Sequence, residues 1–366
     1  MTNAGRSQGE PRAPAFDDVV VVLMAGGVGM RLWPLSEPSR PKQFLTTLTG
    51  TSLYAQAAER GRLLVAWDRI LVMTNGAFAR LVRTQTPDVP TENVILEPCR
   101  RDTAAAILLA AVVAERRFPG GVMVVTPSDH LVTDLEAFRQ TLGRAVARAR
   151  RGGLGTIGVT PDFPATAYGY LRVGGPPAGA GAVAVEKFVE KPQQADAEKY
   201  LASGRHLWNA GIFVWQTREL LAAAARHLPE MHAALAAVGP AVGTPDFDAR
   251  VRDAFEQIRP ISIDYGIMEK AEDVWCVPAT FDWSDLGDWS SITQVIPPDE
   301  QGNRVRGATV LEEAAGNVVV TDADHPVVVV GLSDCIIIHG PCGTLVCHKR
   351  LAGRIKAVVQ RIGGAT

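Results

Sequence analysis

One segment near the start of the chain constrains the fold more than any other, residues 19–44, VVVVLMAGGVGMRLWPLSEPSRPKQF. Its apolar opening predicts a buried strand, and the glycines that follow predict a turn. Arg31 and Lys42 come just after that turn. Backbone N–H groups beside two cations are typical of a phosphate site. The segment therefore predicts a strand that ends at a phosphate-binding loop.

Apolar runs alternate with helical segments through the first two-thirds of the chain. RILVMTN, NVILEP and VMVVTPSDH are strand-like, and the helices between them begin at Ser52 and at Asp102 or Thr103 as N-cap. Nearly all-apolar strands separated by helices indicate a parallel sheet that is buried on both faces. We predict an α/β fold with a doubly wound, mostly parallel, Rossmann-like sheet.

The pattern changes from about residue 300, where several short strands are broken by Gly, Asp and Pro with no helical run between them. We predict a disordered lead-in at 1–16, a large domain at 17–295 and a small β-rich domain at 296–366. The lead-in lacks an apolar core and is not expected to be a secretory signal.

Composition narrows the class of partner. A formal net charge of -2 gives no general attraction for nucleic acid or an anionic membrane, and the apolar run 104–114 is too short to span a bilayer. The five cysteines are scattered, so we expect a reducing, cytoplasmic location. Cys342, Cys347 and His348 raise the question of zinc, but buried thiols are the favoured interpretation because no C-x-x-C pair accompanies them.

Three phosphate-binding loops compete for residues 25–42. The Walker A pattern fails because no Lys-Ser or Lys-Thr follows the last glycine, and the dinucleotide pattern fails because Leu32 stands at its third glycine. The remaining pattern is A-G-G-x-G-x-R-L followed by RPKQF. Its glycines allow close approach of the backbone to a triphosphate, Arg31 can fork onto phosphate oxygens, and Pro41 stiffens the segment that presents Lys42.

This opening closely resembles that of the sugar nucleotidyltransferases, specifically the mannose-1-phosphate guanylyltransferases. The resemblance continues in family order over roughly residues 18–350, through ILEPCRRDTAAAI, VTPSDH, YGYL, VEKP, WNAGIFVW, SIDYGIMEK and FDWSDLGDW. It implies a nucleotidyltransferase domain followed by a small β-helix-like domain that serves packing and dimer formation. It also implies transfer of GMP from GTP to mannose 1-phosphate, with release of pyrophosphate, in a homodimer.

The resemblance assigns residues to three groups. Arg31, Lys42, Asp129 and Lys191 are expected to be catalytic. The expected nucleotide-binding residues are Ala25, Gly26, Gly27, Gly29, Arg31, Lys42, Glu97, Asp102, Thr103 and Ser128. Asp129 and Asp285 are expected to hold Mg²⁺, a cation that keeps waters and takes few protein ligands; Asp282 and Asp288 are the other aspartates of FDWSDLGDW.

Gly169, Glu190, Lys191 and Asn209 are the expected sugar-phosphate residues. Adjacent strand residues point to opposite faces, so Glu190 and Lys191 can serve one site only if the strand ends or twists there. The alternative for this pair is a solvated charge pair.

Recognition of the base depends on Glu97, which can accept hydrogen bonds from N1–H and the 2-amino group of guanine. Asp102 stands where the family usually has Asn, which leaves the details of base contact open. A catalytically silent relative that binds a nucleotide sugar and regulates a partner enzyme remains the second hypothesis, although such relatives would be expected to lose Arg31, Lys42 or the paired aspartates, and all are present. Longer, bifunctional relatives add a cupin-like isomerase domain, and since the sequence stops at Thr366 we expect transferase activity alone.

Overall fold

The computed structural model of the protein describes residues 16–27, 32–175, 181–287, 289, 291–322 and 325–363. Most of the predicted lead-in, together with Gly29, Arg31 and Asp288, lies outside those residues. No helix within the described ranges has the length and apolar character needed to cross a membrane.

The larger part of the molecule contains nine strands and eight helices within the described ranges up to residue 287. The strands are β1 (Val19–Met24), β2 (Ile70–Asn75), β3 (Val94–Glu97), β4 (Val122–Pro127), β5 (Leu154–Val159), β6 (Tyr170–Val173), β7 (Val183–Val189), β8 (His206–Gln216) and β9 (Val274–Pro278). The helices are α1 (Leu53–Arg62), α2 (Ala79–Gln85), α3 (Asp102–Arg117), α4 (Leu135–Ala149), α5 (Gln194–Ser203), α6 (Thr217–His227), α7 (Pro229–Ala236) and α8 (Phe247–Gln257).

These strands form one sheet in the order β3-β2-β1-β4-β8-β5-β9-β7-β6. The first four are parallel, as predicted. Beyond β4 the sheet is mixed, because β8 runs antiparallel to both β4 and β5, and β7 runs antiparallel to β9 and β6. The exposed residues of β7 are typical of an antiparallel strand near a sheet edge. The parallel prediction therefore holds only for the half of the sheet that contains β1 to β4 and the glycine turn.

Both faces of the parallel half are covered. In β1, Val20 and Val22 pack into one core, while Val19, Val21 and Leu23 pack into the core on the other face, since successive strand residues point to opposite sides. Helix α3 covers the first face, and its residues from Ala104 to Ala114 are all buried.

Two predicted helix starts have different outcomes. Ser52 is the N-cap of α1, and its hydroxyl accepts a hydrogen bond from the N–H of Ala55 at 3.0 Å, as predicted. The N-cap of α3 is Arg101, not Asp102 or Thr103. Asp102 has a positive φ of 64°, and its carboxylate accepts a hydrogen bond from the N–H of Thr103. The hydroxyl of Thr103 accepts a hydrogen bond from the N–H of Ile263 in a distant segment.

The rest of the chain forms a coil of short strands followed by a helix. Its elements are β10 (Arg304–Arg306), β11 (Thr309–Glu312), β12 (Val318–Thr321), β13 (Val327–Val330), β14 (Cys335–Gly340), β15 (Gly343–His348) and α9 (Ile355–Gly363). β10, β12 and β14 pair in parallel, as do β11 and β13, so successive turns of the coil stack as in a β-helix. The β-rich prediction is confirmed, and α9 was not predicted.

The coil shares a hydrophobic core with the segment that follows the glycine turn. Leu32, Leu35, Leu45 and Leu48 lie in one cluster with the residues of β12 and β14 that face them from the coil, which are Val318, Val320, Ile336 and Ile338. The backbones also approach closely, because a Cβ on Gly340 would lie 2.6 Å from the carbonyl oxygen of Pro34. The coil therefore supports the segment that leads to Lys42.

Candidate active site

A cavity of about 660 Å³ lies beyond the carboxyl ends of β1, β3 and β4, where open α/β sheets bind their ligands. Its volume is in the range of small-molecule sites. Eleven predicted site residues line it: Gly26, Gly27, Glu97, Asp102, Thr103, Ser128, Asp129, Gly169, Glu190, Asn209 and Asp285. The structure thus brings together residues that are far apart in sequence.

The other predicted residues lie at its margin or outside the described ranges. Ala25 is fully buried. Its backbone N–H donates a hydrogen bond to the Met73 carbonyl, and its carbonyl accepts one from the Thr74 hydroxyl. Lys42 and Lys191 approach the cavity through their ion pairs. Gly29 and Arg31 belong to the residues that are not described.

Lys42 joins the two aspartates expected to bind metal. It begins a short 3-10 turn after Pro41, and its side chain is only 6% exposed. Its ammonium lies 2.8 Å from Oδ2 of Asp129 and donates to the backbone carbonyl of Asp285 at 2.5 Å. One buried cation therefore holds the end of β4 against the FDWSDLGDW segment.

The Asp129 carboxylate stays ionised in this position. Burial would raise its pKa, but the charge of Lys42 and the hydrogen bond from it outweigh that effect and lower the pKa to about 2. A carboxylate held ionised beside a cation is suited to contacts with metal and phosphate.

Two aspartates of FDWSDLGDW have different surroundings. The Asp282 carboxylate accepts hydrogen bonds from the backbone N–H groups of Thr133 and Asp134 and from the Thr133 hydroxyl, ahead of α4. Burial opposes ionisation of Asp282, but these hydrogen bonds lower its pKa below the usual value. Asp285 instead lines the cavity. The geometry therefore favours Asp285 over Asp282 as the residue that faces substrate.

The donor set suits a hard cation. Asp129 and Asp285 supply carboxylate oxygens, and the Asp285 carboxylate is oriented by the hydroxyl of Tyr168 at 2.7 Å and the N–H of Gly287 at 2.9 Å. In the described part of the chain no group of three His, Cys, Asp or Glu side chains could hold a metal. Two carboxylates are consistent with Mg²⁺, which completes its shell with water and phosphate oxygens.

The loop after β4 is held from both sides. Trp283 donates its indole N–H to Nδ1 of His130 at 3.2 Å, and the buried Arg60 donates to the His130 carbonyl at 3.0 Å. Ser128 donates its hydroxyl to the Met24 carbonyl at 2.7 Å, which joins the ends of β1 and β4. Ser128 is thus engaged with the backbone, while Asp129 between these supports faces the cavity.

Glu190 and Lys191 converge because β7 ends at Val189 and Lys191 has a positive φ of 48°. This left-handed residue reverses the alternation of a strand, and the two side chains form an ion pair. The other Glu190 oxygen lies against Gly169, where a Cβ would be only 2.5 Å from it. Gly169 is needed at this position because it leaves room for the carboxylate.

Asn209 is held by a network on this side of the cavity. Its Oδ1 lies 2.7 Å from the hydroxyl of Thr156, and its Nδ2 donates to Oδ1 of Asp264 at 3.1 Å. Asp264 opens a π-helical turn, Asp264–Met268, a type of turn that is frequent at functional sites. Burial and the nearby Glu190 charge raise the pKa of Asp264 to about 7.

The opposite end of the cavity carries the residues expected to contact the base. The Glu97 carboxylate lies against Gly26, where a Cβ would be 2.9 Å from Oε1. Burial raises the pKa of Glu97 to about 7. It accepts no hydrogen bond from the residues that the structure describes, so its acceptor capacity remains for a ligand.

Sequence reasoning missed several cavity residues that lie inside motifs it used. Asp264 belongs to SIDYGIMEK, Tyr168 to the YGYL region and Trp283 to FDWSDLGDW. Gln43, in RPKQF, donates to the Gly27 carbonyl at 2.6 Å and so fixes the glycine turn. The motifs located these residues, but nothing in the sequence distinguished cavity-facing side chains from buried ones.

Comparisons with known proteins agree with this geometry. The sequence model of the family described as Nucleotidyl transferase matches residues 20–302, and that of the MannoseP isomerase/GMP-like beta-helix domain matches residues 307–362. The chain therefore belongs to the nucleotidyl transferase family, and it is an enzyme of that class.

Its similarity to particular members extends over nearly the whole chain. It is 34% identical to the mannose-1-phosphate guanylyltransferase of Escherichia coli (strain K12), over 93% of this chain and 73% of that protein. It is 36% identical to the xanthan biosynthesis protein XanB of Xanthomonas campestris pv. campestris (strain B100), over 96% of this chain and 74% of that protein.

The fold is also similar to a solved structure. The crystal structure described as a mannose-1-phosphate geranyltransferase from Thermus thermophilus has a TM-score of 0.84 and 35% identity, covering 94% of this chain and 99% of that one. Together these comparisons confirm the resemblance to mannose-1-phosphate guanylyltransferases that the motifs indicate.

Proposed function

We propose that this nucleotidyltransferase transfers GMP from GTP to α-D-mannose 1-phosphate, giving GDP-mannose and pyrophosphate. The observation that carries the proposal is the Lys42 ammonium in contact with both Asp129 and Asp285, which line one cavity together with Glu97 and Glu190. The relatives named mannose-1-phosphate guanylyltransferase support the choice of substrates.

The reaction we propose is an in-line displacement. A phosphate oxygen of mannose 1-phosphate attacks the α-phosphorus of GTP, and the bond to the bridging oxygen breaks as pyrophosphate leaves. Because no covalent enzyme intermediate is required, the protein contributes position and charge. Lys42 exchanges its contact with Asp129 for the phosphates, and Lys191 exchanges Glu190 for the sugar phosphate.

Asp129 and Asp285 would hold Mg²⁺, which when bound neutralises charge on the phosphates. Arg31 and the N–H groups of Gly26, Gly27 and Gly29 would contact the triphosphate, and Gln43 fixes the turn by its bond to the Gly27 carbonyl. Glu97 would accept from the guanine edge and Glu190 from sugar hydroxyls.

A silent relative that only binds a nucleotide sugar is the alternative, and pyrophosphate release from GTP and mannose 1-phosphate separates the two hypotheses. The parent protein should release pyrophosphate, whereas Lys42→Met should lose about 2–4 kcal/mol of transition-state stabilisation in kcat/KM. Lys187→Met serves as a matched control, because Lys187 is exposed on β7 and lines no part of the cavity. No turnover by the parent contradicts the proposed function, and a folded Lys42→Met enzyme with full activity removes Lys42 from the mechanism.

We further propose a cytoplasmic homodimer. The coil supports this proposal through Val310, Val328 and Val330, which are 53–61% exposed on neighbouring strands β11 and β13. The five cysteines are free, which is consistent with a reducing compartment.

A further inference from the structure

The segment 261–269 is hydrogen-bonded to both ends of the cavity. At the nucleotide side, the hydroxyl of Thr103 accepts from the N–H of Ile263 at 2.9 Å. At the sugar side, Oε1 of Glu269 accepts from the N–H of Glu190 at 2.9 Å. These contacts fix the π-helical turn, and with it the side chain of Asp264, between the two substrate regions.

The orientation of the Asn209 amide follows from its neighbours. Its Oδ1 lies in hydrogen-bonding distance of the Thr156 hydroxyl and of the N–H of Gly211, at 2.7 and 3.3 Å, so the oxygen must face these donors. The amide nitrogen is thereby directed to Asp264. Most of the hydrogen-bonding capacity of Asn209 is therefore used within the protein.

Asp264 is in the opposite situation. Only its Oδ1 accepts a side-chain hydrogen bond from the described residues, and the residue lines the cavity. Burial and the Glu190 charge oppose its ionisation and outweigh the nearby Lys191, so the pKa of Asp264 is raised. A neutral hydroxyl donor from a ligand would stabilise this carboxylate, because it would supply the oxygen that accepts no side-chain hydrogen bond with a donor and would add no charge.

We propose that Asp264 accepts a hydrogen bond from a sugar hydroxyl of the sugar 1-phosphate, opposite Glu190. Asn209, which resembles a sugar-contacting position, is instead a positioning residue that holds the Asp264 carboxylate. This assignment rests on the proposed function, since it takes the Glu190 end of the cavity as the sugar site. It makes Asp264 a determinant of sugar affinity that leaves the nucleotide site unaffected.

The first test is Asp264→Asn, with Asp253→Asn as its control. Asp253 is an exposed aspartate on α8 that lines no part of the cavity, so the same substitution there should change nothing. We expect Asp264→Asn to raise the KM for mannose 1-phosphate about tenfold or more, with the KM for GTP within about twofold of the parent. Sites that hydrogen-bond a substrate hydroxyl show selective losses of this kind.

A series of monodeoxy mannose 1-phosphates identifies the contact. The parent should lose affinity for the analogue that lacks the contacted hydroxyl, whereas Asp264→Asn should show no further loss for that analogue. Strictly additive losses across the whole series overturn the proposal. Equal rises in both KM values also overturn it, because they indicate that the variant disturbs the segment 261–269.

Failure of the proposed function can be distinguished from failure of this inference. If the parent uses another sugar 1-phosphate in place of mannose 1-phosphate, the substrate assignment fails and the same comparison is made with that sugar phosphate. If turnover is absent altogether, calorimetric titration of the parent and Asp264→Asn with mannose 1-phosphate replaces the kinetic measurement. Equal affinities, or no binding to the parent, then overturn the role of Asp264.

Discussion

Asp285 and Asp282 stand three residues apart in one motif and have different contacts. Asp285 lines the cavity, whereas Asp282 accepts hydrogen bonds from Thr133 and Asp134. We expect Asp285→Asn to raise the Mg²⁺ concentration needed for half-maximal turnover or to abolish turnover, with little change in thermal unfolding. Asp282→Asn should lower the melting temperature, because charge-assisted bonds ahead of α4 are weakened. Metal titrations and thermal melts of both variants check this, and a reversed pattern would show that Asp282 is the ligand.

The raised pKa values of Glu97 and Asp264 predict how the stability of the protein depends on pH. Burial raises the pKa of each to about 7, above the value of about 4 for an unfolded carboxyl, so the folded protein binds these protons more tightly. Their stabilisation is present at low pH and lost as the pH rises through 7. When the pH is lowered from 8 to 6.5, protonation of each of these two carboxyl groups should increase the free energy of unfolding by about 1 kcal/mol.

Denaturant unfolding at several pH values measures this effect. Glu97→Gln should remove about half of the change between pH 8 and 6.5, while Glu256→Gln, at an exposed position of α8, should leave it intact. His130 and His206, whose pKa values are lowered mainly by burial, would act in the opposite sense below pH 6.5, which sets the lower limit of the window. A flat profile in the parent contradicts the prediction.

The two glycines of the turn that the structure describes differ in the space available for a side chain. A Cβ on Gly26 would press on Oε1 of Glu97 at 2.9 Å, whereas one on Gly27 would meet nothing within 4 Å. We expect Gly26→Ala to reduce the ratio of kcat/KM for GTP over UTP, because it displaces the Glu97 carboxylate, which we propose contacts the base. Gly27→Ala should lower kcat/KM for both triphosphates alike, since the added methyl group would leave Glu97 in place and would lie where we propose that the phosphates bind. Steady-state kinetics decide this, and equal ratios in the two variants contradict it.

Among the elements of the fold, the sequence predicts the strands better than it predicts which side chains come together at the cavity. Apolar periodicity identifies β1 to β4 and their buried faces, because it reports burial directly. It does not report which strand becomes a neighbour, so the antiparallel insertion of β8 between β4 and β5 was missed. The convergence of Glu190 with Lys191 depends on one left-handed residue, and the placement of Asp264 depends on one π-helical turn. Neither conformation has a signal in side-chain type.

In the molecule as a whole, the coil and the nucleotide-binding part depend on one another. Ile338 is fully buried in the cluster shared with Leu32 and Leu45, while its neighbour Ile337 packs into a separate cluster inside the coil. Truncation of either to Ala should cost about 2–4 kcal/mol of stability. Only Ile338→Ala should also lower kcat/KM in the folded enzyme, because the shared core supports the segment that carries Lys42. Melting curves and initial rates test this, and equal kinetic effects contradict it.

The close approach of Gly340 to the Pro34 carbonyl limits how this enzyme can be recombined with its relatives. A transplanted coil with any side chain at the position of Gly340 would clash with the Pro34 carbonyl, only a few residues after the glycine turn. Chimaeras should therefore work when Trp33, Pro34 and Leu35 are exchanged together with the coil, and fail when the joint is cut between the two parts. The coil and the residues 33–35 that it contacts should therefore be exchanged as one unit.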